Sequence, residues 1–331
     1  MATTSEQILN AIRNGASEEY QDRIPEATRD NISEVGNAII DYEPTKNEFL
    51  DTLINKIALT IINSKMAENK FGQFYGETIE YGDTVEEIFV DLIKAEKFDP
   101  NFVKVFEKKK PTVKTLYHKI DVELKYKVTI EEVLLRRAFR SGDGVAKLAS
   151  AIINQLYSSK TYDEYLHCKE LIGTYSGAKV IEVEYPDDTD STREFLRALK
   201  KVSTDMQYMS DEYNESGVKT YTASENCVIF IHKDIKINLD LDLLAKVFNT
   251  TATALNARLI EVDNFGSQKN RLAMICDSDI FRIHKTLDIL KSTENGEALY
   301  TNYVLHSHGI FSLSKFKNCV ALDIAEVTPA P

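Results

Sequence analysis

The stretch that decides the fold reads DTVEEIFVDLIKAEKFD at residues 83–99 and continues as VFEKKKPTVKTLYHK at residues 105–119. Acids dominate its first half, because residues 77–99 contain eight of them against two lysines. Residues 104–127 reverse this balance, with eight lysines against three acids. Residues 121–128 (DVELKYKV) then alternate between polar and apolar side chains, which predicts a strand with one solvent-exposed face.

Two interpretations of this charge segregation stay open. In the first, the two halves form a hairpin whose strands attract each other, each opposed pair contributing about 0.2–1 kcal/mol. In the second, the segment is an exposed excursion that contacts the oppositely charged surface of an identical neighbour. Under the second interpretation, the lysine run is expected to pair with acids of an adjacent copy. The candidate intersubunit contacts are Lys108, Lys109, Lys110, Glu86, Glu87 and, from the N-terminal segment, Arg13.

The segment before this stretch is predicted to be an arm that lies against a partner. Residues 5–14 have the apolar spacing of one short helix, and a polar stretch follows through residue 30. We expect residues 1–30 to contribute little to the core of their own subunit. Amphipathic helices are predicted at residues 31–42 and from Thr45, where Thr45 and Glu48 have the spacing of a capping box.

The remainder of the chain mixes helices and strands. A capping-box pair, Thr129 and Glu132, is expected to start the longest helical run, which loosens at residues 142–144 and stops near residues 173–177. Ser191 and Glu194 predict a further helix start. Another helix is predicted at residues 241–248, and strands are predicted at residues 180–185, 227–231, 259–262 and 272–275 and within 283–324.

Composition excludes several classes of protein. A chain of 331 residues with 43% hydrophobic and 28% charged residues is expected to fold into two lobes, or into one domain with long excursions, around a substantial core. Its formal charge of −12 opposes tight wrapping of nucleic acid, which depends on neutralised phosphates. We find neither the apolar run of a membrane span nor the pattern of a signal peptide. The four cysteines are far apart, so buried free thiols are expected rather than a zinc site.

No motif predicts a catalytic residue, a cofactor site or a metal site. The close glycines Gly142 and Gly144 lack the Lys-Ser/Thr continuation of a phosphate-binding loop. His306 and His308 could share one face of a strand, but no third metal ligand lies nearby in the sequence. An acidic cluster at residues 182–190 could bind calcium, but it precedes a helix, where acids favour the positive end of the helix dipole.

Several further blocks, in collinear order, complete the pattern: NAIRN at residues 10–14, PEATRDNISEVG at 25–36, DLDLLAKVFN at 240–249, VDNFGS at 262–267 and LYTNYVLHSHGIFSLSKFKNCVAL at 299–322. Together with the opening stretch, they make the sequence resemble the major capsid proteins of small short-tailed (podovirus) phages of the phi-29 type. The resemblance covers the chain from its first helix to near its last strand, and it is more specific than any single block.

The resemblance implies an α+β fold of the Hong Kong 97 capsid type, with an N-terminal arm, an extended loop, a peripheral domain and an axial domain. The expected boundaries are an arm with a lead-in helix at 1–63, the extended loop at 64–128, the spine helix of the peripheral domain at 129–178, the axial domain at 179–282, and return strands with a tail at 283–331.

The implied function is structural and needs no cofactor or catalytic step. Copies of the chain would form hexamers and pentamers of an icosahedral head around double-stranded DNA. Scaffolding and portal proteins are implied partners, contact with the packaged DNA would be weak and non-specific, and no membrane is involved. The protein would be made in the host cytoplasm and end in the virion. Two alternative functions stay open. One is an encapsulin-type compartment that holds a cargo enzyme, and the other is an enzyme whose site has no recognisable motif.

Overall fold

The computed structural model describes residues 5–61, 69–80, 82–98, 108–140, 144–236 and 257–325. Its helices are α1 (Ser5–Arg13), α2 (Glu18–Arg23), α3 (Ile32–Ile40), α4 (Glu43–Ile61), α5 (Glu132–Ala138), α6 (Gly144–Thr174) and α7 (Thr189–Asp205). Its strands are β1 (Val85–Val90), β2 (Val113–His118), β3 (Val122–Glu131), β4 (Lys179–Val183), β5 (Cys227–His232), β6 (Arg258–Val262), β7 (Arg271–Asp277), β8 (Phe281–Asn295), β9 (Tyr300–Leu313) and β10 (Cys319–Ile324). Among these helices, none is long and apolar enough to cross a bilayer.

Two compact units make up the chain, the first of the two arrangements that its length allows. Unit 1 comprises Met1–Asn69, Glu123–Glu164 and Leu287–His308. Unit 2 comprises Lys70–Val122, Tyr165–Thr286 and Gly309–Pro331. Strands β3, β9 and β8, in that order, form a three-stranded sheet.

The core of unit 1 is mainly helical, and the predicted arm belongs to it. Leu9 and Ile12 of α1 are 3% and 1% exposed, and they share one cluster of buried residues with Phe49 and Tyr303. The expectation that residues 1–30 stay outside the core is therefore wrong for residues 5–30. Apolar spacing shows that a helix has a face to bury, but it does not show whether that face packs on its own chain or on a neighbour.

Hydrogen bonds fix this segment to its own subunit. Asn10 exchanges two of them with the backbone of Ala27, its amide nitrogen donating to the carbonyl at 2.8 Å and its oxygen accepting from the N–H at 2.7 Å. Arg13 donates through Nε to the carbonyl of Ile24 at 2.7 Å and through Nη2 to that of Gln21 at 2.9 Å. The guanidinium of Arg13 thus has a role inside its own subunit.

A mixed five-stranded sheet in the order β4-β10-β7-β5-β6 forms the centre of unit 2. Alternate residues of β5 point to opposite faces, so that Phe230 joins one buried cluster and Ile229 joins the other. Phe195 of α7 covers the second face, and Ile172 of α6 belongs to the cluster on the first. Burial on both faces explains the nearly continuous apolar sequence of the central strands.

The predicted extended loop, residues 64–128, is only partly an excursion. Phe71 and Phe74 are 0% and 8% exposed and belong to the core of unit 2. Its last residues form the start of β3, so the strand predicted at 121–128 is confirmed and runs to Glu131. In β1 and β2, the described strands of this range that precede β3, every second residue is exposed.

Two of the predicted helix starts in unit 1 are wrong in detail. α4 begins at Glu43, two residues before the predicted cap. Thr129 lies in β3 and donates its hydroxyl hydrogen bond to Asn302 at 2.7 Å instead of capping a helix, because the strand continues to the residue before α5. The long helix predicted after this point is confirmed as α6, with 31 residues. The helix predicted at residues 241–248 lies outside the described residues.

Candidate assembly surface

Strands β1 and β2 pair antiparallel and form what we call the ribbon. Residue 86 lies opposite residue 117, 88 opposite 115, and 90 opposite 113. The acidic and basic halves of the sequence therefore pair with each other, as the hairpin interpretation predicts. Charges do not face each other across the ladder, however, since Glu87 opposes Leu116 and Lys114 opposes Phe89.

The inner face of the ribbon packs on the rest of unit 2 through polar and aromatic contacts. Oε1 of Glu87 accepts hydrogen bonds from Nη2 of Arg282 at 2.6 Å and from the Ser314 hydroxyl at 2.8 Å. Its Oε2 lies 3.2 Å from Nε2 of His118, whose Nδ1 lies 2.7 Å from the Ser312 hydroxyl. We call Glu87, His118 and Arg282 the root cluster, because they hold both strands of the ribbon against the unit.

The pKa of Glu87 reflects these contacts. Burial on its own favours the neutral carboxyl and raises the pKa, but hydrogen bonds from His118 and Ser314 and the charge and hydrogen bond of Arg282 outweigh this effect. The result is a pKa lowered from 4.5 to about 2. Glu87 is therefore ionised at neutral pH.

The outer face of the ribbon is apolar and exposed. Ile88 and Val90 of β1 are 58% and 53% exposed, and Val113 of β2 is 50% exposed. Tyr117 lies at the other end of this face, and its hydroxyl donates to Glu86 at 3.0 Å. Because these residues alternate with the inner ones, the whole apolar row lies on one side of the ribbon.

Residues 91–98 and 108–112, the ribbon end, extend this exposed surface. Leu92, Ile93 and Phe98 are 63%, 75% and 83% exposed. The ribbon end carries five lysines against two acids in a chain whose net charge is −12. It is therefore both apolar and locally cationic, a combination typical of a contact surface rather than of a solvated loop.

The structure distributes the six sequence-predicted contact residues between two environments. Lys108, Lys109 and Lys110 are exposed at the ribbon end, and Glu86 is exposed on the outer face. Lys109 forms an ion pair with Glu96 of the same ribbon end. Glu87 and Arg13, by contrast, are bonded within their own subunit. Sequence reasoning missed the exposed apolar row, although the alternation in VEEIFV and VKTLYH was a usable signal.

The acidic cluster at residues 182–190 serves the start of α7, as predicted. Asp188 is the N-cap of α7, and its carboxylate accepts from the backbone N–H groups of Asp190 and Ser191. The backbone and hydroxyl hydrogen bonds of Ser191 lower the pKa of Asp188. The cap is thus Asp188 rather than the predicted Ser191, which supplies the reciprocal bond of the capping box.

The cysteines and two neighbouring histidines are the other positions considered in the sequence. All four cysteines are buried and none forms a disulfide, and burial raises the pKa of the Cys227 thiol to about 12, which disfavours a reactive thiolate. The rings of His306 and His308 are 6.3 Å apart. Within the described part of the chain, no group of three or more His, Cys, Asp or Glu side chains could hold a metal ion.

Comparison with known folds confirms the α+β capsid architecture of the Hong Kong 97 type. The capsid structure of Staphylococcus phage Andhra superposes with a TM-score of 0.65, covering 80% of this chain and 86% of that one at 13% identity. A virus-like particle from Pyrococcus furiosus superposes with a TM-score of 0.52, covering 81% of this chain and 98% of that one at 12% identity. At these identities the superpositions establish the fold alone.

Sequence comparison is more specific. Residues 9–322 match the family described as Phi29-like phage major capsid protein. The major capsid protein of Bacillus phage B103 is 33% identical over 336 residues, an alignment that covers 99% of this chain and 75% of that protein. The chain therefore belongs to the Phi29-like phage major capsid proteins, which places it in the protein shell of the virion.

Proposed function

We propose that the outer face of the ribbon, together with the ribbon end, is the surface through which copies of this chain assemble into hexamers and pentamers of an icosahedral head. One observation carries this proposal. Of the 17 large apolar side chains exposed among the described residues, seven lie in this small part of the chain: Ile88, Val90, Leu92, Ile93, Phe98, Val113 and Tyr117. Such a concentration is unfavourable in water and is relieved when another protein surface covers it.

Energetics favour an identical copy of the chain as the protein that covers this exposed apolar surface. Fully burying one large aliphatic side chain contributes about 1.5–3 kcal/mol, so several together can offset the entropy lost on association. A closed shell repeats the same contact in every copy, so each contact can be modest. The self-assembly of capsid proteins into shells requires such a repeated contact, and the ribbon supplies a candidate for it.

Charge would then set the register of the contact. Lys108 and Lys110 are exposed, and we assign them to ion pairs with acids of an adjacent copy, with Glu86 as a candidate acceptor. Exposed pairs contribute at most about 1 kcal/mol each, which makes them steering elements rather than the main source of affinity. Lys109 contributes less to this contact, because it already pairs with Glu96.

The remaining assignments, of domains and partners, follow the plan of the Hong Kong 97 capsid fold. We assign the spine to α6, the axial domain to residues 179–282 and the peripheral return strands to residues after 283. The chain is proposed to act without catalysis, with scaffolding and portal proteins as assembly partners and with weak, non-specific contact to packaged double-stranded DNA. The net charge of −12 supports this weak contact, since an anionic shell does not bind a polyanion tightly.

An encapsulin-like compartment is the alternative function, and particle content separates the two. Particles purified from cells that express the phage genes are expected to hold nucleic acid. A bound cargo enzyme and no nucleic acid would instead favour the compartment.

The assembly proposal is tested by polar substitution of the outer face. The triple variant Ile88→Thr, Val90→Thr, Val113→Thr keeps β-favouring side chains but removes most of the apolar row. We expect a folded subunit by circular dichroism and a loss of fast-sedimenting particles. The matched control is Tyr208→Thr, Met209→Thr, at residues of unit 2 that are 70% and 50% exposed but outside the ribbon. Normal particles from the triple variant would overturn the proposal.

A further inference from the structure

A second group of exposed apolar residues lies in unit 1, outside the ribbon. Val133 and Leu134 of α5 are 55% and 43% exposed, and Leu299 in the turn between β8 and β9 is 63% exposed. The backbone N–H of Glu132 donates to the carbonyl of Leu299 at 3.1 Å, so the start of α5 and this turn are direct neighbours. The exposed residues of α5 and of this turn therefore lie on neighbouring segments of the backbone.

The backbone of Leu299 indicates that this surface is built for a purpose. Among the described residues it is the one non-glycine residue with a positive φ, at 51°. That conformation favours glycine and disfavours a bulky side chain. The turn is also held in place, because Oδ1 of Asn295 accepts from the N–H groups of Glu297 and Ala298 at 3.1 and 3.2 Å. An exposed leucine in a fixed, unfavourable conformation is typical of a side chain retained for contact.

The charges around α5 identify the partner. Glu131 is the extended residue directly before α5, Leu134 and Arg137 follow it in the helix at intervals of three, and all three are exposed. The row reads acid, apolar, base. A two-fold axis beside Leu134 would place residue 134 against its own copy and residue 131 against residue 137 of the other chain. In the described residues no ion pair involves Arg137, and Arg136 instead bonds Glu132 of its own helix.

We propose that α5 is a second self-association surface, on which α5 of one copy packs antiparallel against α5 of a second copy. Leu134 packs against its own counterpart at the two-fold axis. Glu131 of each copy pairs with Arg137 of the other copy. Val133 and Leu299 pack at the edges of the contact. An isologous contact of this kind needs a patch that is complementary to itself, and the row provides one. This contact is separate from the ribbon, and it goes beyond the proposed function.

A single-cysteine variant tests the two-fold geometry directly. Leu134→Cys would place two thiols next to each other only if the residue meets its own copy. After assembly and treatment with oxidised glutathione, we expect a disulfide-linked dimer on a non-reducing gel. Tyr162→Cys is the matched control, since Tyr162 is 55% exposed in unit 1 but outside the patch, and it should stay monomeric. The native cysteines are buried and should not contribute. No dimer from Leu134→Cys, or equal dimer from both variants, would overturn the proposal.

Charge-reversal variants of α5 and a variant in the turn test the proposed contact independently. Glu131→Arg and Arg137→Glu should each reduce particle yield at least several-fold, and the double variant should restore it. Leu299→Gly relieves the backbone conformation, so it should raise the melting temperature of the unassembled subunit while lowering particle yield. Lack of restoration in the double variant would overturn the pairing. If the ribbon proposal were wrong, the results expected for the α5 variants would be the same, because the ribbon variants and the α5 variants change different surfaces.

Discussion

Nη2 of Arg282 lies 2.6 Å from Oε1 of Glu87, an ion pair that joins positions 195 residues apart in the chain. It links the ribbon to the rest of unit 2, at a point where the side chain of Glu87 is partly buried. Because the outer face of the same strand is exposed and apolar, this pair determines how the proposed contact surface is presented. The inner face of the ribbon is thus a fixed support, and the outer face is available to another subunit.

The lowered pKa of Glu87 predicts a definite pH dependence. A carboxyl whose pKa falls from 4.5 to about 2 on folding stabilises the folded state above pH 4.5, and this contribution is lost as the pH falls from 4.5 towards 2. Glu87→Gln removes the charge and should lower the free energy of unfolding at pH 7 by about 1.5–3 kcal/mol. The difference between wild type and variant should shrink below pH 4.5.

Denaturant unfolding of the unassembled subunit between pH 7 and pH 3 measures this difference. Glu86→Gln is the matched control, since it changes the adjacent, exposed glutamate of the same strand and should leave the curve unchanged. A constant difference between wild type and Glu87→Gln over this range would show that the root cluster does not depend on the charge of Glu87.

Two isoleucines should separate folding from assembly. Ile12 is 1% exposed in the core of unit 1, so Ile12→Ala should lower the free energy of unfolding by about 2–5 kcal/mol. Ile88 is 58% exposed on the outer face of the ribbon, so Ile88→Ala should leave that free energy nearly unchanged and reduce particle yield. Urea unfolding and sedimentation of both variants check this. If Ile12→Ala unfolded like wild type and failed only in assembly, the N-terminal segment would be an arm after all.

The sequence predicted local elements better than their partners. Strict alternation located β3, and the apolar spacing located α6, because both signals are properties of the chain itself. The same spacing located α1 but could not show that Leu9 and Ile12 pack on Phe49 and Tyr303, which are distant in sequence. The capping pattern at Thr129 was misleading because the strand pairing of β3 overrides a weak local preference for a helix start.

The candidate surface was predictable in position but not in chemistry. Segregated charge at residues 77–127 indicated the segment that carries the candidate surface. It directed attention to the lysines, however, while the larger feature is the apolar row of Ile88, Val90 and Val113. The partner of Glu87 is Arg282, and no local pattern connects the two. Long-range pairs of this kind depend on the tertiary fold, which a single sequence does not encode in any short window.

Charge reversal at the ribbon end should make assembly sensitive to salt. The variant Lys108→Glu, Lys110→Glu is expected to lower particle yield most strongly at low ionic strength, because screening weakens exposed pairs as salt rises. The melting temperature of the unassembled subunit should stay within about 1–2 °C of wild type, since surface substitutions rarely change stability by more than about 0.5 kcal/mol. Light scattering across a salt series measures the yield.

Lys109→Glu serves as a comparison, because Lys109 pairs with Glu96 of its own ribbon end. It should loosen the ribbon end and change assembly less than the double variant does. Equal assembly of the double variant and wild type at every salt concentration would mean that Lys108 and Lys110 face only solvent.

The central claim is that the outer face of the ribbon is covered by another copy of the chain in the assembled shell. A cryo-electron microscopy reconstruction of the assembled particle, at a resolution that shows side chains, tests it most directly. We predict that Ile88, Val90 and Val113, which are 58%, 53% and 50% exposed in the isolated chain, are buried against a neighbouring subunit. A particle in which these three side chains still face solvent would contradict the account.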